Sequence, residues 1–169
     1  MDKEKILGIV ENILFTAGDS VAISEIARVL DLKEAELAEM IEENIRERNT
    51  AAGLIIRRLD KRLQLATRTE YAPLLQSMFA MKSQEELSRA MLETLSIIAY
   101  KQPVTRGEIE EIRGVNASYT LNALLTKKLI KEAGRKDVLG RPILYATSEE
   151  FLRHFGISSV EELPKEKLA

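Results

Sequence analysis

From Leu92 to Thr147 the chain runs through a helical segment that closes on KQPVTRGEIEEIRGV, continues as ASYTLNALLTKKLI, and finishes in a turn-rich basic ribbon, EAGRKDVLGRPILYAT. Helices joined by a tight turn and followed by a β-capable ribbon are the outline of a winged helix-turn-helix. The first half of the chain repeats it. When SVAISEIARVLDL (Ser20 to Leu32) is set over PVTRGEIEEIRGV (Pro103 to Val115), Val21, Glu25 and Ile26 fall on Val104, Glu108 and Ile109 without a gap. Farther on, LQLATRTEY (Leu63 to Tyr71) matches ILYATSEEF (Ile143 to Phe151), with Leu65, Ala66 and Thr67 over Tyr145, Ala146 and Thr147, and Tyr71 over Phe151. The chain reads as one module used twice.

Its 169 residues exceed one small module and suffice for two domains of about 80 residues, each with a small core. Hydrophobic residues make up 45% and charged residues 31%, a balance that folds rather than staying disordered. The absence of Cys excludes disulfides, thiolate nucleophiles and Cys-ligated zinc, and fits a reducing compartment. The opening MDKEKILGIVENILF has acidic Glu11 within its apolar run and charges of both signs, so it reads as an amphipathic helix and not as a signal peptide. No run approaches the length of a membrane span, and the expected location is cytoplasmic.

Ile6, Ile9, Val10, Ile13 and Leu14 recur at helical spacing and predict a first helix ending near Gly18. Residues 22–31 and 33–48 read as two more, with Ile26, Val29 and Leu30 inward on one, and Leu37, Met40, Ile41 and Ile45 inward on the other. LIIRRL and RLQLAT, joined by Asp60 and Lys61, form a first wing, and residues 70–81 are helical again through Tyr71, Leu74, Leu75, Met78 and Phe79. Ser83 and Glu86 have the spacing of a capping box that starts the next element.

In the second half Met91, Leu92, Leu95, Ile98 and Ala99 line one side of a helix that must stop before Pro103. Thr105 and Glu108 form another candidate capping box, for a helix from Arg106 to Arg113 halted at Gly114. Asn116 is placed to cap a third helix whose buried stripe is Leu121, Leu124, Leu125 and Leu129. A second wing from Ile130 to Ala146 and a closing helix from Glu149 to Phe155 complete the unit. The expected fold is mainly α with small β-hairpins (α+β), arranged as two tandem winged helix-turn-helix domains at 1–82 and 88–169, with a linker at 83–87.

No set of catalytic side chains assembles from these residues. His154 is the only histidine, and FLRHFG suits a helix end at the surface with no partner to orient an imidazole. Paired glutamates such as Glu42-Glu43 and Glu110-Glu111 diverge by about 100° on a helix and do not converge on one metal ion. Gly134 and Gly140 lack the Gly-Lys-Ser/Thr of a phosphate loop. No enzymatic activity, cofactor, metal or small-molecule substrate is expected.

Charge placement bears on nucleic acid. A base-reading third helix lies beside phosphates and is neutral to basic. In the first module that helix carries Glu34, Glu36, Glu39, Glu42, Glu43 and Glu47 against Lys33, Arg46 and Arg48; in the second, ASYTLNALL has no positive charge at all. The wings are the reverse, with Arg57, Arg58, Lys61, Arg62 and Arg68 against Asp60, and six cations between Lys127 and Arg141 against Glu132 and Asp137. These cations either touch phosphate without reading sequence or pair with the glutamate-rich helices of the same molecule or a partner. Tyr100, Tyr119 and Tyr145 read either as core edges or as aromatic anchors of an interface.

IIAYKQPVTR (Ile97 to Arg106), EIRGV (Glu111 to Val115) and GRKDVLGRP (Gly134 to Pro142) resemble the segregation and condensation protein B family of bacteria and archaea, and ILFTAGDSVAISEIA with LATRTEYAPLL extends a looser likeness through the first half. The resemblance implies two winged-helix domains, homodimerisation chiefly through the N-terminal one, and binding to the kleisin subunit ScpA of an SMC ATPase complex that condenses and segregates chromosomes on the nucleoid. It implies an accessory subunit and not an enzyme. Tyr119, Arg135, Lys136, Asp137, Arg141 and Tyr145 are the candidate partner contacts, because at the second wing the family-like string exceeds what a plain hairpin needs. Weak non-specific DNA contact through the wings is the residual nucleic-acid role, and a winged-helix transcriptional regulator is the alternative function.

Overall fold

The computed structural model describes residues 2–48, 53–79 and 86–164, and the chain divides into two compact units, Met1–Ser83 and Gln84–Ala169. It is mainly helical with two small antiparallel sheets, as expected.

In the first unit α1 (Lys3–Ala17) turns Ile6, Leu7, Val10 and Leu14 inward, and stops where Gly18 adopts φ 64° and donates its N–H back to the Leu14 carbonyl. A two-residue strand β1 (Val21–Ala22) leads into α2 (Ile23–Leu30) and α3 (Glu34–Arg48), and the hairpin β2 (Leu54–Leu59) with β3 (Arg62–Thr67) closes a sheet of order β1-β3-β2. The core gathers Ile23, Ile26, Leu37, Ile41, Ile56 and Leu63 around α1. Val29, expected inward, is exposed; Ile23, Ile26 and Ala27 form the buried stripe of α2, one step round the helix from the face assumed. A 3₁₀ turn (Thr69–Tyr71) and α4 (Ala72–Phe79) follow within the expected helical region. Met81 and Ser83, the latter half of an expected capping box, lie outside the described residues.

The second unit begins at α5 (Arg89–Lys101), which Ser88 starts by accepting the Met91 N–H at 3.3 Å. Met91, Leu95, Ile98 and Ala99 are buried as expected, but Leu92 is exposed and Thr94 and Ile97 take interior places instead. The helix ends at Gln102, extended at ψ 143° ahead of Pro103. Gln102 Oε1 accepts from both the N–H and the Oγ1 of Thr147, at 2.7 and 2.9 Å, fastening that helix end to the sheet. β4 (Val104–Thr105), α6 (Arg106–Arg113), α7 (Ser118–Thr126), β5 (Ile130–Arg135), β6 (Ile143–Thr147) and α8 (Glu149–Phe155) complete a sheet of order β4-β6-β5 with its helices. The Thr105–Glu108 capping box forms, and Gly114 ends α6 at φ 69°. Asn116 precedes the capping position, which is Ala117, yet its Oδ1 still accepts the Ser118 N–H at 3.0 Å. Leu121, Leu124 and Leu129 are buried, while Leu125 is half-buried.

The repeat holds in topology but slips in register. Val21 pairs with Leu63, whereas its counterpart Val104 pairs with Tyr145, which the sequence repeat sets opposite Leu65. A two-residue slip keeps every side chain on its original face, so the core survives it. The wings differ more: β2 and β3 are joined by Asp60 and Lys61 alone, β5 and β6 by a loop over 136–142, and β5 carries a bulge between Glu132 and Gly134.

These burials set measurable costs. Ile109→Ala, at a fully buried site, is expected to lower unfolding free energy in urea by about 2–5 kcal/mol. Leu92→Ala, on the exposed flank of α5, is expected to stay within about 1 kcal/mol of the parent.

Candidate partner-docking site

The helix-turn-helix and the wing of the second unit are joined by one carboxylate. Glu108 Oε2 accepts from the Thr105 N–H and Thr105 Oγ1, both at 2.7 Å, while its Oε1 accepts from Lys136 Nζ at 2.6 Å. Three donors, one of them the Lys136 ammonium, hold its carboxyl at about 2, far below the ordinary 4.5, with the Lys136 hydrogen bond the largest cause. Lys136, expected at the partner surface, is therefore engaged within its own unit.

Beyond Lys136 the wing loop is tied by its own backbone. The Lys136 N–H donates to the Pro142 carbonyl, Val138 N–H to Lys136, Arg141 N–H to Val138, and Arg135 Nη1 to the Arg141 carbonyl at 3.1 Å. Gly140 at φ 83° makes the turn at no steric cost, whereas Arg141 accepts φ 39°. The result is a hydrogen-bonded tip with Arg135, Asp137 and Arg141 in solvent and with Leu139 projecting fully, at 103% exposure, beside exposed Val138. Reading the sequence passed over Val138 and Leu139, since two apolar residues within a turn resemble filler.

Tyr119, on the first turn of α7, is 86% exposed and follows exposed Ile112 on α6 and exposed Val115 in the turn. The sequence reading missed Ile112 and Val115; Val29, which holds the position of Ile112 in the first unit and was expected inward, is exposed as well. Tyr145 is different. It lies in β6 between Val104 and Glu132 and is buried, so its ring belongs to the core. Tyr100 is half in solvent and donates its hydroxyl to the Pro164 carbonyl at 2.8 Å. The structure thus gathers Arg135, at the end of β5, with Lys136, Asp137 and Arg141 of the following loop, and sets Tyr119 on the helix-turn-helix.

In the first unit several wing cations turn inward. Arg58 meets Glu42 of α3 at 2.7 Å, Arg62 donates to the Ser20 Oγ and carbonyl at 2.9 and 2.6 Å, and Arg68 meets Glu70 at 3.1 Å. Glu43 is paired with Lys3, while Glu34, Glu36 and Glu39 stand exposed along α3. Among the described residues no three His, Asp or Glu side chains are grouped to hold a metal ion, and no helix is long and apolar enough to cross a membrane. His154 stacks edge-on against Phe155 at 5.0 Å between ring centroids.

The family model of the segregation and condensation complex subunit ScpB matches residues 8–166. The chain belongs to the ScpB family. Segregation and condensation protein B of Clostridium tetani is 44% identical over 161 residues, 95% of this chain and 85% of its own length. Among solved structures, ScpB from Mycobacterium tuberculosis is 27% identical with a TM-score of 0.44, over 93% of this chain and 98% of that one. A dimer of an ScpB N-terminal domain complexed with an ScpA peptide is 38% identical with a TM-score of 0.39, over 42% of this chain and 90% of that one. The strings from Ile97 to Pro142 that resemble ScpB proteins thus include the Thr105–Glu108–Lys136 junction and the wing tip.

Glu108 gives this junction a pH signature. Its folded value lies below its ordinary one, so its stabilising contribution is whole above pH 4.5 and is lost as pH falls toward 2. Thermal melts between these limits should show a shallower decline for Glu108→Gln than for the parent; equal slopes would remove Glu108 from that role.

Proposed function

We propose that the chain is a non-catalytic subunit of a prokaryotic chromosome condensation and segregation complex, working as a homodimer that grips the kleisin ScpA and through it joins an SMC ATPase. In this reading residues 1–82 dimerise, 83–87 link, and 88–169 bind the kleisin, in the cytoplasm and on the nucleoid.

The observation that carries it is the character of the second helix-turn-helix surface. Where a DNA-reading module needs polar and cationic side chains, this one exposes Ile112, Val115 and Tyr119 beside an α7 without a charge. Exposed apolar side chains on a helix-turn-helix suit a protein partner, with an aromatic anchor such as Tyr119 contributing most. Arg135, Asp137 and Arg141 at the wing rim set register and speed encounter, while Lys136 and Tyr145 hold the loop and the sheet in shape. Exposed Lys131, Arg135 and Arg141 also support weak, sequence-independent phosphate contact.

Co-purification with the kleisin of the same organism, followed by light scattering, tests this reading. Tyr119→Ala is expected to weaken capture at least about tenfold with the fold intact, and Arg141→Glu to slow association. Binding to a defined operator that withstands physiological salt would favour a transcriptional regulator instead, because phosphate contacts alone collapse as salt rises.

A further inference from the structure

The two wings end differently. The first turns on Asp60 and Lys61 alone, and its cations Arg58 and Arg62 are bonded to Glu42 and Ser20 within the unit. The second is carried outward by the loop over 136–142, with Val138 and Leu139 in water at its tip. The turn does not require them: its shape comes from backbone hydrogen bonds of Lys136, Val138 and Arg141 and from Gly140 at φ 83°, none of which uses either side chain. Turns are ordinarily filled by Gly, Pro, Asn, Asp and Ser, so two aliphatic side chains held out by such a loop point to something beyond it.

Charge around the tip selects what it meets. Lys128, Lys131, Arg135 and Arg141 are exposed and pair with no acid among the described residues, while Glu108, which reaches the wing from α6, is taken by Lys136. Only Glu132 and Asp137 oppose them along this segment. An apolar point flanked by arginines has the chemistry of the minor groove of duplex DNA. That groove is about 6 Å wide and admits a loop, its rims offer phosphates to the cations, and an aliphatic side chain can wedge between base steps and kink the duplex. A bilayer is a poorer match: two aliphatic side chains bury far less than a myristoyl chain, which alone binds a membrane only marginally, and Asp137 would be carried in beside them. Phosphate contact of this kind carries no sequence information, in keeping with an α7 that has no charge for reading bases.

We propose that the second wing is a sequence-independent contact for duplex DNA, with Arg135 and Arg141 on phosphates and Leu139 wedged into the minor groove. The proposal rests on the phosphate contact named above and gives it a site and a mode. It leaves Ile112, Val115 and Tyr119 to the protein partner.

Anisotropy of the full chain on a fluorescent duplex of about 30 base pairs, repeated over a salt series, tests it, with energy transfer between the duplex ends reporting the bend. Arg141→Gln is expected to flatten the slope of log affinity against log salt by about one for each wing engaged. Leu139→Ser is expected to keep the slope, to bind at least about tenfold more weakly at every salt concentration, and to lose the bend. Because Leu139 is fully in solvent, its circular dichroism and its capture of the kleisin should match the parent. Equal affinity and bending in Leu139→Ser overturn the wedge while the phosphate contact stands; a parent that ignores the duplex at low salt overturns both. Leu139-dependent sedimentation with phosphatidylserine vesicles, without duplex bending, overturns the proposal in favour of a membrane, and loss of kleisin capture in Leu139→Ser overturns it in favour of the protein partner.

Discussion

Each half of the chain can close only one small apolar interior, and the surfaces left over are whatever that interior has no room for. In the second unit the available places go to α5, α6, α7 and the inner face of β6, with Ile98, Ile109 and Leu124 fully enclosed. Once these are filled, Ile112, Val115 and Tyr119 have nowhere to go but out. In the first unit α1, α2 and α3 fill the interior with Val10, Ile26 and Leu37, and α4 is left outside. The exposed apolar residues are a consequence of the core's size, and a small scaffold presents them in predictable places.

The two units show how far a repeat can drift while its core is kept. The short strand before α2 and α6 is hydrogen-bonded to the hairpin in both, yet two residues out of step, which the alternation of a strand permits. The hairpin tip changes from two residues to a loop over 136–142, because a tip faces solvent and constrains nothing behind it. At the segment after the hairpin Tyr71 and Phe151 remain aligned aromatics, but only Phe151 is buried. Drift has been tolerated where the chain touches water, and it has left α4 without a buried residue where α8 has two.

Much of this was readable from residue order. Local chemistry located the helix from Arg106 to Arg113 to the residue, since Thr105, Glu108 and Gly114 act over three or four positions. Burial at the edge of a stripe was not readable: Val29 and Leu92 sit on helix flanks where the facing element decides, and that element is distant in sequence. The apolar pattern of α4 was evident, but a pattern says only that a face wants cover and not who provides it. For the candidate site, the cations and Tyr119 stood out as residue types, whereas the Lys136 to Glu108 bond spans 28 positions and leaves no local mark. Leu139 escaped notice because turn residues are judged by backbone shape, and its importance is that the shape holds an apolar side chain out.

Charge placement weighs against base readout on this scaffold. The acids of α3 would face phosphates in a reading pose, and each exposed one would oppose the approach of a polyanion. Two of them are paired, Glu43 with Lys3 of α1 and Glu42 with Arg58, the latter a cation that a nucleic-acid wing would need. In the second unit Lys136 is drawn back to Glu108, but Arg135 and Arg141 are held outward by backbone bonds and not by acids. Cations fixed in that way keep their field in solvent, screened beyond about 8 Å at physiological salt, which is enough to orient an acidic segment arriving at the wing. A short-ranged field of this kind, beside a helix-turn-helix without cations on α7, suits the proposed protein partner better than base edges.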